Sequence, residues 1–278
     1  MEFSFTEEQK MIRDTAEAFL AEISSSDSIR KAMATEQGFE DEIWQRICSE
    51  MYWQAIHIPE EYGGLGLGYV DLVVMLEQMG RYLLCAPFFS TVCLGANALM
   101  VAGSPEQKQS YLSQICEDGL TSTLAYTSSN GQWGANAVQG LVKNKGNDFV
   151  LNGTYRYVPD GHTAGLLIVA ARNEGSTGEE GISLFAIPAN TSGVQTTWLP
   201  TMDETRKQAE VVLVDVILNK DHLMGEQGKA WSQLNKIIQL ATIAAAAEQM
   251  GGSQQILDLT VEYTKEREQF GRPVAGFQ

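Results

Sequence analysis

The sequence predicts an α+β multidomain chain: an N-terminal helical domain over residues 1–120, a middle β-barrel or sheet domain over 121–225, and the first part of a C-terminal helical bundle over 226–278. Three observations lead there. Apolar residues recur at helical spacing up to about residue 118; from Thr121 the texture changes to short β-rich runs; and helical spacing returns after Gly225 and Gly228.

In the first block, Thr6 with Glu7, Glu8 and Gln9 behind it has the form of a helix cap, and Met11, Ile12, Ala16, Phe19 and Leu20 follow on one face. A second helix is expected near Asp41 to Met51, with Ile43, Trp44 and Ile47 as its apolar stripe. Pro59 and the glycines at 63, 64, 66 and 68 break the pattern, which resumes at Tyr69–Arg81 and Thr91–Ala102. Ser104-Pro105-Glu106-Gln107 starts another helix, because proline suits a first turn and serine can cap it.

The β-rich runs are Ser122–Tyr126, Phe149–Leu151, Leu166–Ala171, Ile182–Pro188 and Ala209–Val216, and the stretch 174–181 reads as a surface hairpin loop. No βαβ alternation and no Gly-x-Gly-x-x-Gly is present, which disfavours a Rossmann domain. The last helical pattern runs through Trp231, Leu234, Ile238, Ala241, Ala245, Ile256 and Leu259. About 40 residues of helix span ~60 Å, and such a stripe needs bundle partners. Ala244–Ala247 and Gly251-Gly252 suit close helix contact.

Composition narrows the function. A net charge of −16 argues against nucleic acid and anionic membrane surfaces as partners, though it leaves room for an anion in a locally basic pocket. The N-terminus shows no secretory signal and no apolar run reaches membrane-spanning length, so a cytoplasmic protein without a membrane span is expected. Cys48, Cys85, Cys93 and Cys116 lack zinc spacing and read as free structural thiols; with His57, His162 and His222 scattered, no metal site is expected.

The most telling segment is Arg267-Glu268-Gln269-Phe270-Gly271-Arg272, after the long helix. A guanidinium on a rigid helix, followed by an aromatic and a turn glycine, can clamp a dinucleotide phosphate. The same residues also fit a charged helix C-terminus closed by Gly271. Three motifs occur in one order: Pro59-Glu60-Glu61-Tyr62-Gly63-Gly64-Leu65-Gly66, then Leu151-Asn152-Gly153-Thr154 through Val158-Pro159-Asp160-Gly161, then Arg267-x-x-Phe270-Gly271. In that order and spacing the chain resembles the acyl-CoA dehydrogenase family over essentially its whole length.

The resemblance implies a three-domain flavoprotein that ends inside a C-terminal four-helix bundle, with FAD as cofactor, an acyl-CoA thioester as substrate, and a homo-oligomer or a heteromer with a paralogous subunit. In such enzymes a glutamate removes the α-proton while the β-hydrogen leaves as hydride to the flavin, giving a 2,3-enoyl-CoA. Carried over by position, Arg267, Phe270 and Gln278 are expected at the FAD of an adjacent subunit, and Tyr126, Thr127 and Tyr157 near the flavin ring. Leu124 is a further candidate there, and Tyr126 and Thr127 read equally well as plain strand residues.

The match has gaps. The family's usual Thr-Glu-Pro and Gly-Ser-Asp are replaced by Thr127-Ser128-Ser129 and by Gly131-Gln132-Trp133-Gly134. The catalytic base is unknown: in most relatives the glutamate falls beyond Gln278, and where a minority place it on the long helix this chain has Ala241 and Thr242. Glu248 reads as a solvated or bundle-facing polar residue. Alternatives to a self-sufficient dehydrogenase are a partner subunit lending Arg267, Phe270 and Gln278, a flavin monooxygenase or oxidase of the same fold, and a helical scaffold.

Overall fold

Thr6 and Gln9 cap each other, the Gln9 N–H donating to the Thr6 hydroxyl and the Thr6 N–H to the Gln9 side chain, and from this box α1 (Glu7–Ile23) begins. The computed structural model describes residues 4–277. Helix α2 (Ser26–Met33), capped by Ser25, was missed in the sequence: eight residues with Ala32 alone fully buried give too weak a period. Helix α3 (Asp41–Arg46) widens into a π-helical turn, Ile47–Met51, and α4 occupies Tyr69–Arg81. A second π-helical segment, Phe89–Ala96, runs into α5 (Asn97–Ala102), so this helix starts two residues before the expected Thr91. Ser104 caps α6 (Pro105–Gln107), which leads through a π turn to α7 (Ser113–Asp118).

The middle of the chain supplies β1 (Ser122–Ala125), β2 (Leu141–Lys145), β3 (Asp148–Pro159), β4 (Leu166–Asn173), β5 (Ile182–Pro188), β6 (Val194–Leu199), β7 (Gln208–Leu218) and β8 (Leu223–Met224). Their order is β6-β7-β3-β2-β4-β5-β8, and β1 adds in parallel to the first half of β4. Strands β2 and β6 were not foreseen, because their outward residues are polar and leave little apolar signal. Strand β4 is buried on both faces. Leu166, Ile168 and Ala170 pack with the helices, whereas Leu167, Val169 and Ala171 join a second core with Leu151, Tyr155, Phe185 and Val211. The 174–181 loop does join β4 to β5 at the surface, but it is tied down: the Arg172 guanidinium donates to the carbonyls of Val138, Ala135, Ser176 and Gly178 at 2.7–2.9 Å.

Helix α8 (Trp231–Glu266) has 36 residues and is ~54 Å long. Its first half buries Leu234, Ile237, Ala241, Ala244 and Ala247 against the rest of the fold; its second half leaves Ile256, Leu257, Leu259 and Tyr263 exposed. Contact with α4 is close at two glycines. A Cβ on Gly80 would run into the Glu248 carbonyl, and one on Gly251 into the Glu77 carbonyl. The small residues singled out in the sequence thus serve helix packing, with Gly251 at the tightest point.

Glycine 271 does not close α8, contrary to one of the two readings offered for it. The helix ends at Glu266, and Arg267 is already extended; β9 (Glu268–Gln269) and β10 (Arg272–Pro273) then form a small hairpin. Its two-residue turn is Phe270-Gly271, with φ of 51° and 75°, the signs a type I′ turn requires. Cys48, Cys85, Cys93 and Cys116 are free thiols, and burial pushes Cys48 and Cys116 up to about 12. Among the described residues no helix is long and apolar enough to cross a membrane.

Candidate functional site

Three elements enclose a cleft of about 490 Å³ between the sheet and α8. Strand β1 and the chain leaving it supply Leu124, Tyr126, Thr127 and Ser128; the end of β3 supplies Tyr157 and Pro159; α8 supplies Ile238, Ala241, Thr242 and Ala245. Phe89 and Leu94 of the π-helical segment form another part of the wall, and Gly131, Gln132 and Trp133 sit at its loop side.

The sequence of β3 explains why Tyr157 is presented to this cleft. Pairing of β3 with β7 shifts register between Tyr155 and Val158, and within that bulge Tyr157 takes φ of 59°. A bulky residue in this conformation is held by its surroundings. Thr127 does the holding on one side: its hydroxyl donates to the Arg156 carbonyl at 2.7 Å, and its own carbonyl accepts from the Arg156 N–H at 3.1 Å. On the other side the Arg156 side chain pairs with Glu210 on β7 at 2.9 Å. Small side chains at Ala241 and Ala245 keep the α8 wall open.

No Asp, Glu, Lys, Arg or His lines the cleft among the described residues. Burial raises the Tyr126 phenol above its ordinary value, so it stays neutral. Ser128 is 5% exposed, and its hydroxyl has no hydrogen-bond partner. A buried orphan hydroxyl is uncommon and costs about 1–3 kcal/mol unless a ligand or water satisfies it. An uncharged cleft with one unfilled hydroxyl suits a planar, hydrogen-bonding ring and an apolar chain. It is a poor place for phosphates.

The sequence-derived candidates therefore divide. Tyr126, Thr127 and Tyr157 meet in the cleft, together with Leu124, Pro159, Ala241 and Thr242. Arg267 and Phe270 lie at the far end of α8, outside the cleft, with the Phe270 ring 92% exposed. Gln278 lies outside the described residues. Glu248 faces away from the cleft: both its oxygens accept from Arg206 Nη2 at 2.8 Å. Ser128 and Trp133 were signalled only by the break in the family motif at 128–134, and Phe89 only as part of the stretch near Leu84 to Val92, which the resemblance led us to expect around the acyl pocket. Asp160, named in the sequence only as part of the Val158–Gly161 motif, is buried and accepts from the Ser90 hydroxyl at 2.6 Å.

The chain matches three family models in order: the acyl-CoA dehydrogenase N-terminal domain over residues 6–118, the middle domain over 123–216 and the C-terminal domain over 228–278. It is 30% identical to an acryloyl-CoA reductase (NADH) of Anaerotignum propionicum, across 100% of this chain and 71% of that one. Identity is also 30% with an acyl-CoA dehydrogenase of Mycolicibacterium smegmatis, across 98% and 70%. Among solved structures, a chain from work on the electron transferring flavoprotein of Acidaminococcus fermentans superposes with a TM-score of 0.91 at 29% identity, covering 100% of this chain and 73% of that one. A chain of the ChsE4–ChsE5 complex from Mycobacterium tuberculosis superposes with a TM-score of 0.88 at 25% identity, covering 100% and 72%.

Proposed function

The chain belongs to the acyl-CoA dehydrogenase family of flavin oxidoreductases, and on that premise we propose that its cleft binds the flavin ring of FAD beside the acyl group of a CoA thioester, for α,β-dehydrogenation to a 2,3-enoyl-CoA. The observation that carries this reading is the uncharged cleft with the orphan Ser128 hydroxyl, set where the β domain meets α8. Tyr126, Thr127, Ser128 and Tyr157 would hold the ring. When bound, FAD supplies the hydride acceptor.

The protein's own part is orientation and exclusion of water. Leu124, Phe89, Leu94 and Ile238 give the acyl chain an apolar wall, and the fixed Tyr157 bulge sets one edge. Arg267 and Phe270, exposed at the end of α8, are the groups proposed to reach the phosphate and adenosine side of an FAD in a neighbouring subunit. A guanidinium there provides the charge that the cleft lacks.

Proton abstraction from Cα needs a base, and no carboxylate lines the cleft among the described residues. The same observation supports a second reading, in which the chain is the partner subunit of a heteromeric acyl-CoA dehydrogenase and completes a site on a paralogue.

The visible absorption spectrum of the protein expressed alone separates them. A flavin band that bleaches on anaerobic addition of acyl-CoA is expected for the first reading. A colourless protein that becomes part of a yellow complex on co-expression with a paralogue is expected for the second. No flavin under either condition overturns both.

A further inference from the structure

A second pocket of about 290 Å³, partly open to solvent, shares Ala245 with the cleft. The Phe89 ring stands between them. One side of it lines the cleft, and the Arg206 guanidinium, which lines the pocket, stacks over it with Cζ 4.3 Å from the ring centroid. Arg206 is held there by Glu248 through Nη2 alone. Its Nε and Nη1 have no hydrogen-bond partner among the described residues, and the residue lines the pocket.

Three carboxylates lie around this cation and its pocket. Glu248 pairs with it directly, buried Asp160 lies close enough to act on its charge, and Asp203 lines the pocket as well. A carboxylate arriving there would add a further negative charge beside a single guanidinium. A neutral oxygen carries no such penalty and can accept from the two uncommitted donors. Phe89 is the obstacle: a ring clamped by cation–π stacking yields only to a ligand long enough to displace it.

We propose that the pocket is a distal subsite for the far end of a long acyl group bearing a keto or hydroxyl oxygen, with Arg206 as donor, Glu248 as the counter-charge that disfavours carboxylates, and Phe89 as the wall that shorter groups stop against. This rests on the reading that the cleft takes an acyl-CoA thioester.

The test is calorimetric binding of thioesters to the FAD-loaded protein, with affinities taken as ratios to butyryl-CoA as the short-chain reference. Three ligands of equal length are compared: plain alkyl, terminal ketone and terminal carboxylate. The ketone is expected to bind about tenfold more tightly than the alkyl chain, the size of one charge-assisted hydrogen bond. Arg206→Met removes that advantage. Glu248→Gln removes one of the pocket's own carboxylates and raises the carboxylate ligand relative to the ketone, a shift that simple damage to the fold would not produce. An unchanged ketone-to-alkyl ratio in Arg206→Met, or an unchanged carboxylate-to-ketone ratio in Glu248→Gln, overturns the subsite while leaving butyryl-CoA binding, and so the cleft reading, intact. Failure of every thioester, butyryl-CoA included, overturns both together.

Discussion

Thr127 and Arg156 exchange two hydrogen bonds, hydroxyl to carbonyl at 2.7 Å and N–H to carbonyl at 3.1 Å, and this exchange fixes the bulge that carries Tyr157. One threonine thus shapes the cleft through its neighbour's backbone. Thr127→Val keeps the shape of the side chain but deletes the donor to the Arg156 carbonyl. It is expected to lower stability by about 1 kcal/mol, with Thr127→Ser near wild type. Denaturant midpoints at constant m-value read the difference, and equal midpoints for the two variants would count against the tether.

The α4–α8 contact makes a sharp contrast between adjacent glycines. Gly251→Ala drives a methyl into the Glu77 carbonyl and is expected to cost about 3 kcal/mol. Gly252→Ala meets nothing nearer than the Gly80 carbonyl at 3.5 Å, so helix propensity dominates and stability rises by about 0.5–1 kcal/mol. Thermal unfolding of the two single variants should move in opposite directions.

Asp160 gives the chain a pH dependence of definite sign. Burial raises its pKa, outweighing the Ser90 hydroxyl and the Arg206 charge that lower it. Between the ordinary aspartate value near ~3.9 and the raised folded value, the native state holds more protons than the unfolded one, so stability falls as pH rises through that window. Asp160→Asn keeps an acceptor for Ser90 and tolerates the φ of 50° at this position. Its stability relative to wild type should therefore be least at about pH 4 and grow toward neutrality. A pH-independent difference between the two proteins would show that Asp160 does not titrate in this way.

Trp133 is 78% exposed yet lines the loop side of the cleft. Filling the cleft should change its surroundings more than those of Trp44 or Trp53, which are buried in the helical core. Titrating flavin-free protein with FAD is expected to quench indole emission, and Trp133→Phe to lose most of that response. A full response in the variant would place the cofactor away from this loop.

The long periodic elements were plain in the sequence. Thr6, Tyr69–Arg81, Ser104 and Ile182–Pro188 carry their own start or stop signals and appear where those signals lie. Helix α2 and strands β2 and β6 escaped because they bury too few side chains to show a period. The role of Gly271 was ambiguous for a different reason: a positive-φ glycine serves a helix end and a hairpin turn equally well, and only the pairing of Arg272 with Gln269 decides. In the cleft, Tyr126, Thr127 and Tyr157 came forward through their place in ordered motifs. Ser128 and the Phe89–Arg206–Glu248 set could not, since an orphan hydroxyl and a stacked ion pair exist only once distant segments meet.

Strand β4 belongs to two cores at once, its alternate residues committed to the helices on one side and to the sheet's second core on the other. The boundary between the helical and β regions is therefore not a seam along which the chain can be cut. A β region expressed alone would present Leu166, Ile168, Leu184 and Ala186 as one sticky face, and a homologous region grafted in its place would need those same side chains rematched to Leu99, Leu234 and their neighbours. For recombination between relatives, the permissive crossover points lie in the connecting loops on the outer side of the sheet, and exchanges that separate β4 from its helical partners are the ones that selection would discard.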